Sequence, residues 1–175
     1  GRFSLTGQAG TSNYSLLART DITQAGINID ALNWAKLPGE SGQASGILTF
    51  KDGKLLGIEA IEVTAGSLLG KGRVTFQPDG QLSLGYFENV TLPGNELKTV
   101  LVEKTGKTAM KLTAEGSLFN LVPLRRNEGA SKGLALDFDI TASRIVVGPR
   151  ISLTGNLKGS TQVNGDGQAT LLGSL

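Results

Sequence analysis

Residues 134–141 read Leu-Ala-Leu-Asp-Phe-Asp-Ile-Thr, with a large apolar side chain at every even position and a small or polar one at every odd position. A β-strand points successive side chains to opposite faces, so this alternation predicts a strand with one buried and one solvated face. The same pattern recurs in four further sets: Tyr14, Leu16, Ala18 and Ile22; Leu82, Leu84 and Tyr86, then Val90 and Leu92; Met110, Leu112 and Ala114; Ile151 and Leu153. The sequence therefore predicts an all-β fold.

Glycine-containing turn signals separate the alternating stretches. The Asp-Gly pairs at residues 52–53 and 79–80 suit hairpins, because both residue types tolerate the positive φ of tight turns. Residues 93–95, 105–107 and 164–167 read as turns on similar grounds. The spacing of these signals predicts consecutive strands joined by short connections.

Two stretches depart from this regular pattern. Residues 97–104 place apolar side chains at helical spacing after a candidate Asn95 cap, but three of these residues are β-branched. We predict a strand there, because both neighbouring stretches resemble hairpins. Residues 121–126 contain Pro123 and are predicted to form a loop or a single helical turn.

A short cassette also repeats along the chain. Residues 46–55 and 72–82 both begin with Gly, continue as an apolar strand, turn, and return as a second strand. Such repeats favour an extended meander over a compact domain, and Gly inside strands predicts bends or bulges. We predict an antiparallel meander of repeated hairpins curled into an open, elongated groove, with a closed β-sandwich as the alternative. The whole chain, 1–175, is treated as one β-repeat segment with a sub-unit joint near residues 38–42.

Composition excludes several classes of function. The chain has no Cys and no His, which removes Ser-His-Asp catalysis, disulfides and the commonest metal ligands. Its net charge of +2 provides no basic face for nucleic acid. We expect no enzyme, no cofactor and no metal site. There is no apolar run of about 18 residues for a membrane-spanning helix. We expect a piece of a longer chain, with any targeting segment or anchor outside it.

A few individual residues invite a functional interpretation. Asp137 and Asp139 share one strand face and could mimic a paired-carboxylate site, but a solvated outer face is the favoured interpretation. The basic residues at 125–126, together with Lys132, could contact a lipid headgroup, although a solvated loop is favoured. Trp34 is predicted to pack in a core or at the end of a groove.

The pattern of these segments resembles the AsmA-like family of bacterial envelope proteins, in particular its YhdP-like and TamB-like members. The resemblance rests on the cassettes 46–55 and 72–82, on residues 90–97 followed by a strand and 114–124, and on a later unit at 137–157. It covers roughly residues 40–175. Asn120 stands where many such sequences have an acidic residue.

The resemblance implies a long β-sheet curled into an apolar groove, located in the periplasm and anchored in the inner membrane by a segment not present here. The implied role is to carry phospholipid between inner and outer membranes. The residues expected to point to the same concave side and bind lipid are Leu82, Leu84, Tyr86, Met110, Leu112, Leu134, Leu136, Phe138, Ile140, Ile151 and Leu153. The alternative is a structural or adhesive β-repeat segment of a secreted or cell-envelope protein. In either case, the end strands near residues 3–7 and 171–175 are expected to self-associate through unpaired edges.

Overall fold

The computed structural model describes residues 3–7, 12–29, 34–107, 109–122, 135–163 and 169–174. These residues form thirteen β-strands: β1 (Phe3–Gly7), β2 (Asn13–Asp21), β3 (Ile27–Ile29), β4 (Trp34–Lys36), β5 (Gly42–Lys51), β6 (Lys54–Ala65), β7 (Leu68–Phe76), β8 (Leu82–Leu92), β9 (Asn95–Lys104), β10 (Ala109–Asn120), β11 (Ala135–Gly148), β12 (Ile151–Val163) and β13 (Ala169–Ser174). The predicted all-β fold is confirmed. The ambiguous stretch 97–104 lies in β9 and is a strand, as predicted.

Eleven of the strands form a single open sheet in the order β1-β2-β5-β6-β7-β8-β9-β10-β11-β12-β13. The short hairpin of β3 and β4 is a separate two-stranded sheet inserted between β2 and β5. The sheet is therefore the predicted meander, and the closed sandwich of two large sheets is not the observed architecture. Strands β1 and β13 lie at its two edges, where the sequence placed the end strands.

One pair of neighbours departs from the antiparallel meander. Strands β10 and β11 run parallel, with Met110 opposite Leu136 and Ala114 opposite Ile140. A parallel pair needs a connection that returns along the strands, which a tight hairpin turn does not provide. The sequence between these strands carries no Asp-Gly signal, and it contains the stretch at 121–126 predicted as a loop or helical turn. Residues 123–126 of that stretch lie outside the described residues.

The predicted turns fall where strands meet. Asp52 and Gly53, between β5 and β6, have φ values of 50° and 76°, which is the pair of positive values that a type I′ hairpin turn requires. Gly80 and Gly94 have φ values of 82° and 80° at the next two predicted turns. Residues 105–107 join β9 to β10. The predicted turn at 164–167 lies outside the described residues.

Two glycines inside strands lie where neighbouring backbones approach closely. A Cβ atom on Gly72 would lie 2.2 Å from the carbonyl oxygen of Tyr86, and one on Gly116 would lie 2.3 Å from that of Glu96. The pairing register shifts close to both glycines, in the β6–β7 and β9–β10 pairs. The prediction that glycines within strands mark bulges is confirmed at these positions.

The register shifts align into a crease that crosses the sheet. Ala60 in β6 and Asn89 in β8 adopt positive φ values of 48° and 51° at such shifts. In the following strands, the β9–β10 register shifts at the pair of Gly116 with Leu97. Ala142 lies opposite Gly116 in the parallel pair, and the β11–β12 register shifts just after Ala142. Because a bulge bends its strand and increases local twist, a line of bulges bends the whole sheet along one band.

Candidate functional site: an apolar sheet face

The cross-strand register places one continuous row of apolar side chains and glycines on one face of the sheet. Residues that pair across neighbouring strands point to the same face, so the row can be followed from β2 to β12. This apolar row consists of Leu16, Leu48, Ile58, Val74, Gly85, Val102, Leu112, Phe138 and Gly159. We call the face that carries it the apolar face.

The opposite face carries an equally continuous polar row. It consists of Arg19, Ser45, Glu62, Lys71, Glu88, Thr99, Glu115, Thr141 and Asn156. None of its nine members is apolar, although the row crosses the same nine strands. We call this the polar face. The sheet is thus amphipathic over nine of its eleven strands, a property that the alternation of single strands predicted only locally.

Between β2 and β8 the apolar face is only partly covered. Leu16, Leu48, Ile58 and Val74 are half-buried, although each belongs to the apolar row. Tyr14 of β2 pairs with Phe50 of β5, and their rings stack with centroids 4.9 Å apart and planes 9° apart. The only other sheet in the described residues is the β3–β4 hairpin, which is too short to cover this area.

Between β9 and β12 the same face contains a packed core, although Val102 and Leu112 of the apolar row are half-buried there. Phe138, Ile140 and Ile145 of β11 are 4%, 0% and 1% exposed. The other buried members of the cluster are Leu97, Ala114, Phe119, Leu121, Ala142 and Leu157. Burial of each large aliphatic or aromatic side chain stabilises the fold by roughly 1.5–3 kcal/mol. This half therefore supplies most of the apolar burial that holds the described sheet together.

The β3–β4 hairpin covers one end of the apolar face. Trp34 is 5% exposed and packs with Ala65 of β6 and Leu92 of β8. Its Nε1 donates a hydrogen bond to Oγ of Ser67 at 3.1 Å, which satisfies the polar atom of an otherwise apolar contact. The prediction that Trp34 packs in a core or at a groove end is confirmed.

The buried side chain of Lys36 holds this hairpin in place through hydrogen bonds to backbone carbonyl groups. Its side chain is 1% exposed, and Nζ donates to the backbone carbonyl oxygens of Thr23, Ala25 and Leu37 at 2.9, 3.1 and 3.2 Å. All three ammonium donors are thereby used. A Cβ on Gly42 of β5 would lie 2.7 Å from Cε of Lys36, so this glycine makes room for the buried side chain.

Six of the predicted lining residues lie together on the apolar face: Met110, Leu112, Leu136, Phe138, Ile140 and Leu153. Leu84 and Tyr86 do not join them. Leu84 pairs with Glu103, and Tyr86 pairs with Leu101. Each of these residues is adjacent in sequence to Gly85 or Val102 of the apolar row, so its side chain lies on the polar face. The prediction that these two point to the same side as Phe138 was wrong. In β8 the odd-numbered Phe87 is apolar as well as the even-numbered Leu84 and Tyr86. The alternation therefore did not identify which set of side chains lies on the apolar face.

Two further predicted lining residues lie on the apolar face at the ends of their strands, and one cannot be placed. Leu82 pairs with Phe76, two residues beyond Val74 of the apolar row, at a register shift beside the β7–β8 turn. Ile151, two residues before Leu153, is 60% exposed where β12 begins. Leu134 lies outside the described residues.

Sequence reasoning missed the lining of the first half of the sheet. Leu48 and Val74 each lie two residues after the opening glycine of a cassette, and both belong to the apolar row. Aligning the two cassettes at their opening glycines places Leu48 with Val74, and Ile47 with Arg73. The second pair contains a charged residue and therefore belongs to the other face. The repeat therefore contained a signal for these two residues that alternation within one strand lacked.

The polar face holds a shallow, charge-balanced depression of about 450 Å³ beside the crease. Its lining includes three cationic side chains, Arg19, Lys71 and Arg73, and three carboxylates, Glu59, Glu62 and Glu88. Nζ of Lys71 donates to Oε1 of Glu62 at 2.7 Å, and this hydrogen bond lowers the pKa of Glu62 and raises the pKa of Lys71. Because opposite charges compensate one another here, the depression offers no unbalanced charge to a ligand.

Tyr86 borders this depression and is held by two polar contacts. Its hydroxyl donates to Oε1 of Glu88 at 2.7 Å, a hydrogen bond that raises the pKa of Tyr86. The guanidinium carbon of Arg73 lies 4.9 Å from the ring centroid, within range of a cation–π contact. These contacts explain how an aromatic residue is accommodated on the polar face.

The two aspartates of β11 also belong to the polar face, as favoured from the sequence. Asp137 is exposed, and Asp139 accepts a hydrogen bond from Nδ2 of Asn156 at 2.7 Å and pairs with Nζ of Lys158 at 2.9 Å. The Asn156 hydrogen bond, followed by that of Lys158, lowers the pKa of Asp139. An ionised, paired carboxylate is suited to an outer face and not to proton transfer at neutral pH.

Across the described ranges, no group of three or more His, Cys, Asp or Glu side chains is arranged to hold a metal ion. The described part of the chain also contains no helix with the length and hydropathy that crossing a bilayer requires. Comparisons of the chain with protein-family models, with curated proteins and with solved structures found no match.

Proposed function

We propose that this chain is a segment of a protein that carries phospholipid between inner and outer membranes along the apolar face of its sheet. The observation that supports the proposal most directly is the unbroken apolar row from Leu16 to Gly159, backed on the other face by a polar row. An acyl chain needs continuous apolar contact and no hydrogen bonds, and such a row provides both.

The dimensions suit this role. The five neighbouring strands of the partly covered half, β2 and β5 to β8, give that part of the apolar row a length of about 19 Å at a spacing of about 4.8 Å. One leaflet contributes about half of the 30 Å hydrocarbon core of a bilayer, so a single acyl chain could lie along the row with room to advance. Each methylene group moved from water onto this surface would contribute up to about 0.8 kcal/mol.

The partly covered half, between β2 and β8, is the part of the face that we assign to lipid. Its side chains are half-buried, so a lipid would gain contact with them without displacing a core. The resemblance to AsmA-like proteins supports the remaining parts of the proposal: a periplasmic location and an inner-membrane anchor in another part of the protein. Self-association through the edge strands β1 and β13 is a further expectation of the same architecture.

The test compares two adjacent residues of β5 that point to opposite faces. Leu48 belongs to the apolar row, whereas Ile47 pairs with Leu17 and Glu59 on the polar face and is 36% exposed. A photoactivatable phospholipid should crosslink to the purified wild-type chain and to Ile47→Asp, and crosslinking to Leu48→Asp should fall at least about tenfold. Both variants should keep the β-sheet circular dichroism spectrum, since neither position is fully buried.

The control excludes loss of folding as the cause. If Leu48→Asp is folded and still crosslinks as well as Ile47→Asp, the apolar face does not bind the acyl chain. If no phospholipid crosslinks to the wild-type chain, the structural or adhesive role becomes the better account of the segment.

A further inference from the structure

One cation lies at the end of the apolar face. Lys104 is the last residue of β9, two positions beyond Val102 of the apolar row, and it pairs with Met110 on the same face. Its Nζ donates to Oε1 of Gln77 at 3.1 Å and to Oε1 of Gln81. Both glutamines flank the β7–β8 turn, so the ammonium lies at the rim where the apolar face ends.

This ammonium has only neutral partners among the contacts of the described residues. The ion pairs found there join Lys71 to Glu62, Lys98 to Glu115 and Lys158 to Asp139. Asp79 lies in the same turn as the glutamines, but its carboxylate accepts the backbone N–H of Gln81 at 3.0 Å. Two amide oxygens orient Nζ without neutralising it, and one of its three donors is left over.

The amides contribute more than orientation. An ammonium cannot accept a hydrogen bond, so both glutamines must turn their oxygens towards Lys104. Each glutamine then presents its Nε2 group as a donor on the far side of the amide. A cation that is oriented by neutral groups and keeps a free donor matches an anion with several acceptor oxygens.

Among the described turns, the rim at this end of the strands carries an excess of positive charge. The turns at 51–54, 77–81 and 104–107 together contain four lysines and two aspartates. At the other end of the strands, the described connections at 37–41, 66–67, 93–94 and 149–150 contain one carboxylate and one cation, Glu40 and Arg150. The positive charge is thus concentrated at one rim of the apolar face, the rim that the β3–β4 hairpin does not cover.

We infer that Lys104, with Gln77 and Gln81, binds the phosphate ester of a lipid headgroup whose acyl chain lies on the apolar face. The inference rests on the proposed lipid-carrying function and assigns the headgroup to one rim of the sheet. A phosphodiester carries a negative charge and accepts hydrogen bonds through two unesterified oxygens, which matches the uncompensated charge and the free donor of the ammonium.

The experiment measures binding of three probes to the purified chain by displacement of a fluorescent acyl lipid, with the two lipids presented in micelles of an uncharged detergent. Dioleoylphosphatidylglycerol carries acyl chains and a phosphate, dioleoylglycerol carries acyl chains alone, and glycerol 3-phosphate carries the phosphate alone. The wild type should bind dioleoylphosphatidylglycerol about tenfold more tightly than dioleoylglycerol. Glycerol 3-phosphate should cause no displacement at millimolar concentration.

Lys104→Met should abolish this tenfold preference and leave the affinity for dioleoylglycerol unchanged. Lys104→Arg, which keeps the charge, should retain most of the preference. The matched control is Lys111→Met, at the same end of the strands but on the polar face, where Glu103 and Asp137 flank Lys111 in the neighbouring strands. This control should bind both lipids as the wild type does.

Three outcomes would contradict the headgroup site. Equal affinity of the wild type for the two lipids, or a preference that persists in Lys104→Met, would overturn it while leaving the proposed function intact. Lys104-dependent binding of glycerol 3-phosphate without lipid would indicate a site for free phosphate instead. Failure of both lipids to bind would overturn the proposed function itself. If Lys104→Met does not fold, Lys104→Gln and Lys104→Arg form the pair to compare.

Discussion

The two halves of the apolar face have the same alternating sequence pattern but differ in how far they are covered. Between β9 and β12, Ile140 and Ile145 are 0% and 1% exposed, whereas Leu48 and Val74 in the first half are half-buried. Both halves have a polar opposite face, so the difference concerns the apolar side alone. Alternation thus identifies which side chains share a face, but it does not reveal whether that face is a core or an available surface.

The physical cause lies in what packs onto each half. In the second half, large side chains from four adjacent strands and Leu121, just beyond β10, pack into one cluster. Leu121 N–H also donates to the carbonyl oxygen of Val146 at 2.9 Å, which extends the parallel pairing past the end of β10. In the first half, the hairpin with Trp34 covers only one end of the strands. We therefore assign stability to the second half and binding to the first.

The largest expected effect tests that assignment directly. Ile140→Asp would place a carboxylate in a fully buried apolar cluster without a partner, and we expect a loss of more than about 4 kcal/mol, enough to unfold the chain. The adjacent Thr141→Asp, on the exposed polar face, should melt within a few degrees of the wild type. Thermal melting followed by circular dichroism measures both.

The comparison between halves would fail in one of two ways. A folded Ile140→Asp variant would mean that the second half is as accessible as the first. An unfolded Leu48→Asp variant would mean that the first half is also a core, which would remove the surface assigned to lipid.

The second prediction concerns the crease that bends both halves. A methyl group on Gly72 would meet the carbonyl oxygen of Tyr86 at 2.2 Å, and backbone cannot move aside as a flexible side chain can. Gly72→Ala should therefore destabilise the chain by about 1–3 kcal/mol. Gly70→Ala in the same strand is the matched control, because its added methyl group would have its nearest neighbour, Cγ2 of Val90, at 3.6 Å.

Urea denaturation of the two glycine variants measures this difference. If Gly72→Ala and Gly70→Ala unfold at the same urea concentration, close backbone approach does not fix the bulge. In that case the cassette glycine would have to be explained by something other than the bend.

Much of the architecture followed from local chemistry that the sequence displays. Asp52 and Gly53 predicted a hairpin because few other residues adopt two successive positive φ values, and the structure has that turn. The parallel pairing of β10 with β11 was not predicted, since strand direction depends on where the intervening chain returns. Local alternation contains no information on that path. The fold class was thus accessible from single strands, whereas the direction of one neighbouring pair was not.

The candidate site was predicted less completely. Phe138 and Met110 were placed on a common face correctly, because each lies in a strand with one clearly apolar parity. Tyr86 was misplaced because both parities of β8 contain apolar residues, and only the cross-strand register decides between them. Lys104 gave no signal at all, since its position at the rim depends on the turn that brings Gln77 and Gln81 to it.

The smallest effect tests whether the polar faces of the two halves are alike. Glu62 in the first half and Asp139 in the second each accept hydrogen bonds from polar partners, and the pKa of each carboxyl is lowered from its usual value. A lowered pKa in the folded state means that the group stabilises the fold above its unfolded pKa, and that this contribution is lost as the pH falls through the folded pKa. Both contributions should therefore be present at pH 7 and disappear in acid below about pH 4.

Carboxyl-carbon NMR titration measures each site separately. Glu62 should titrate below 4.5 and Asp139 below 3.8, the ordinary values of the two residue types. Lys71→Met should raise only the Glu62 midpoint, and Lys158→Met only that of Asp139, because each pair is local. Both shifts should shrink in high salt, as expected for solvent-exposed ion pairs. If one carboxyl titrates normally while the other is shifted, the halves differ on the polar face as well, and their contrast is not confined to the apolar side.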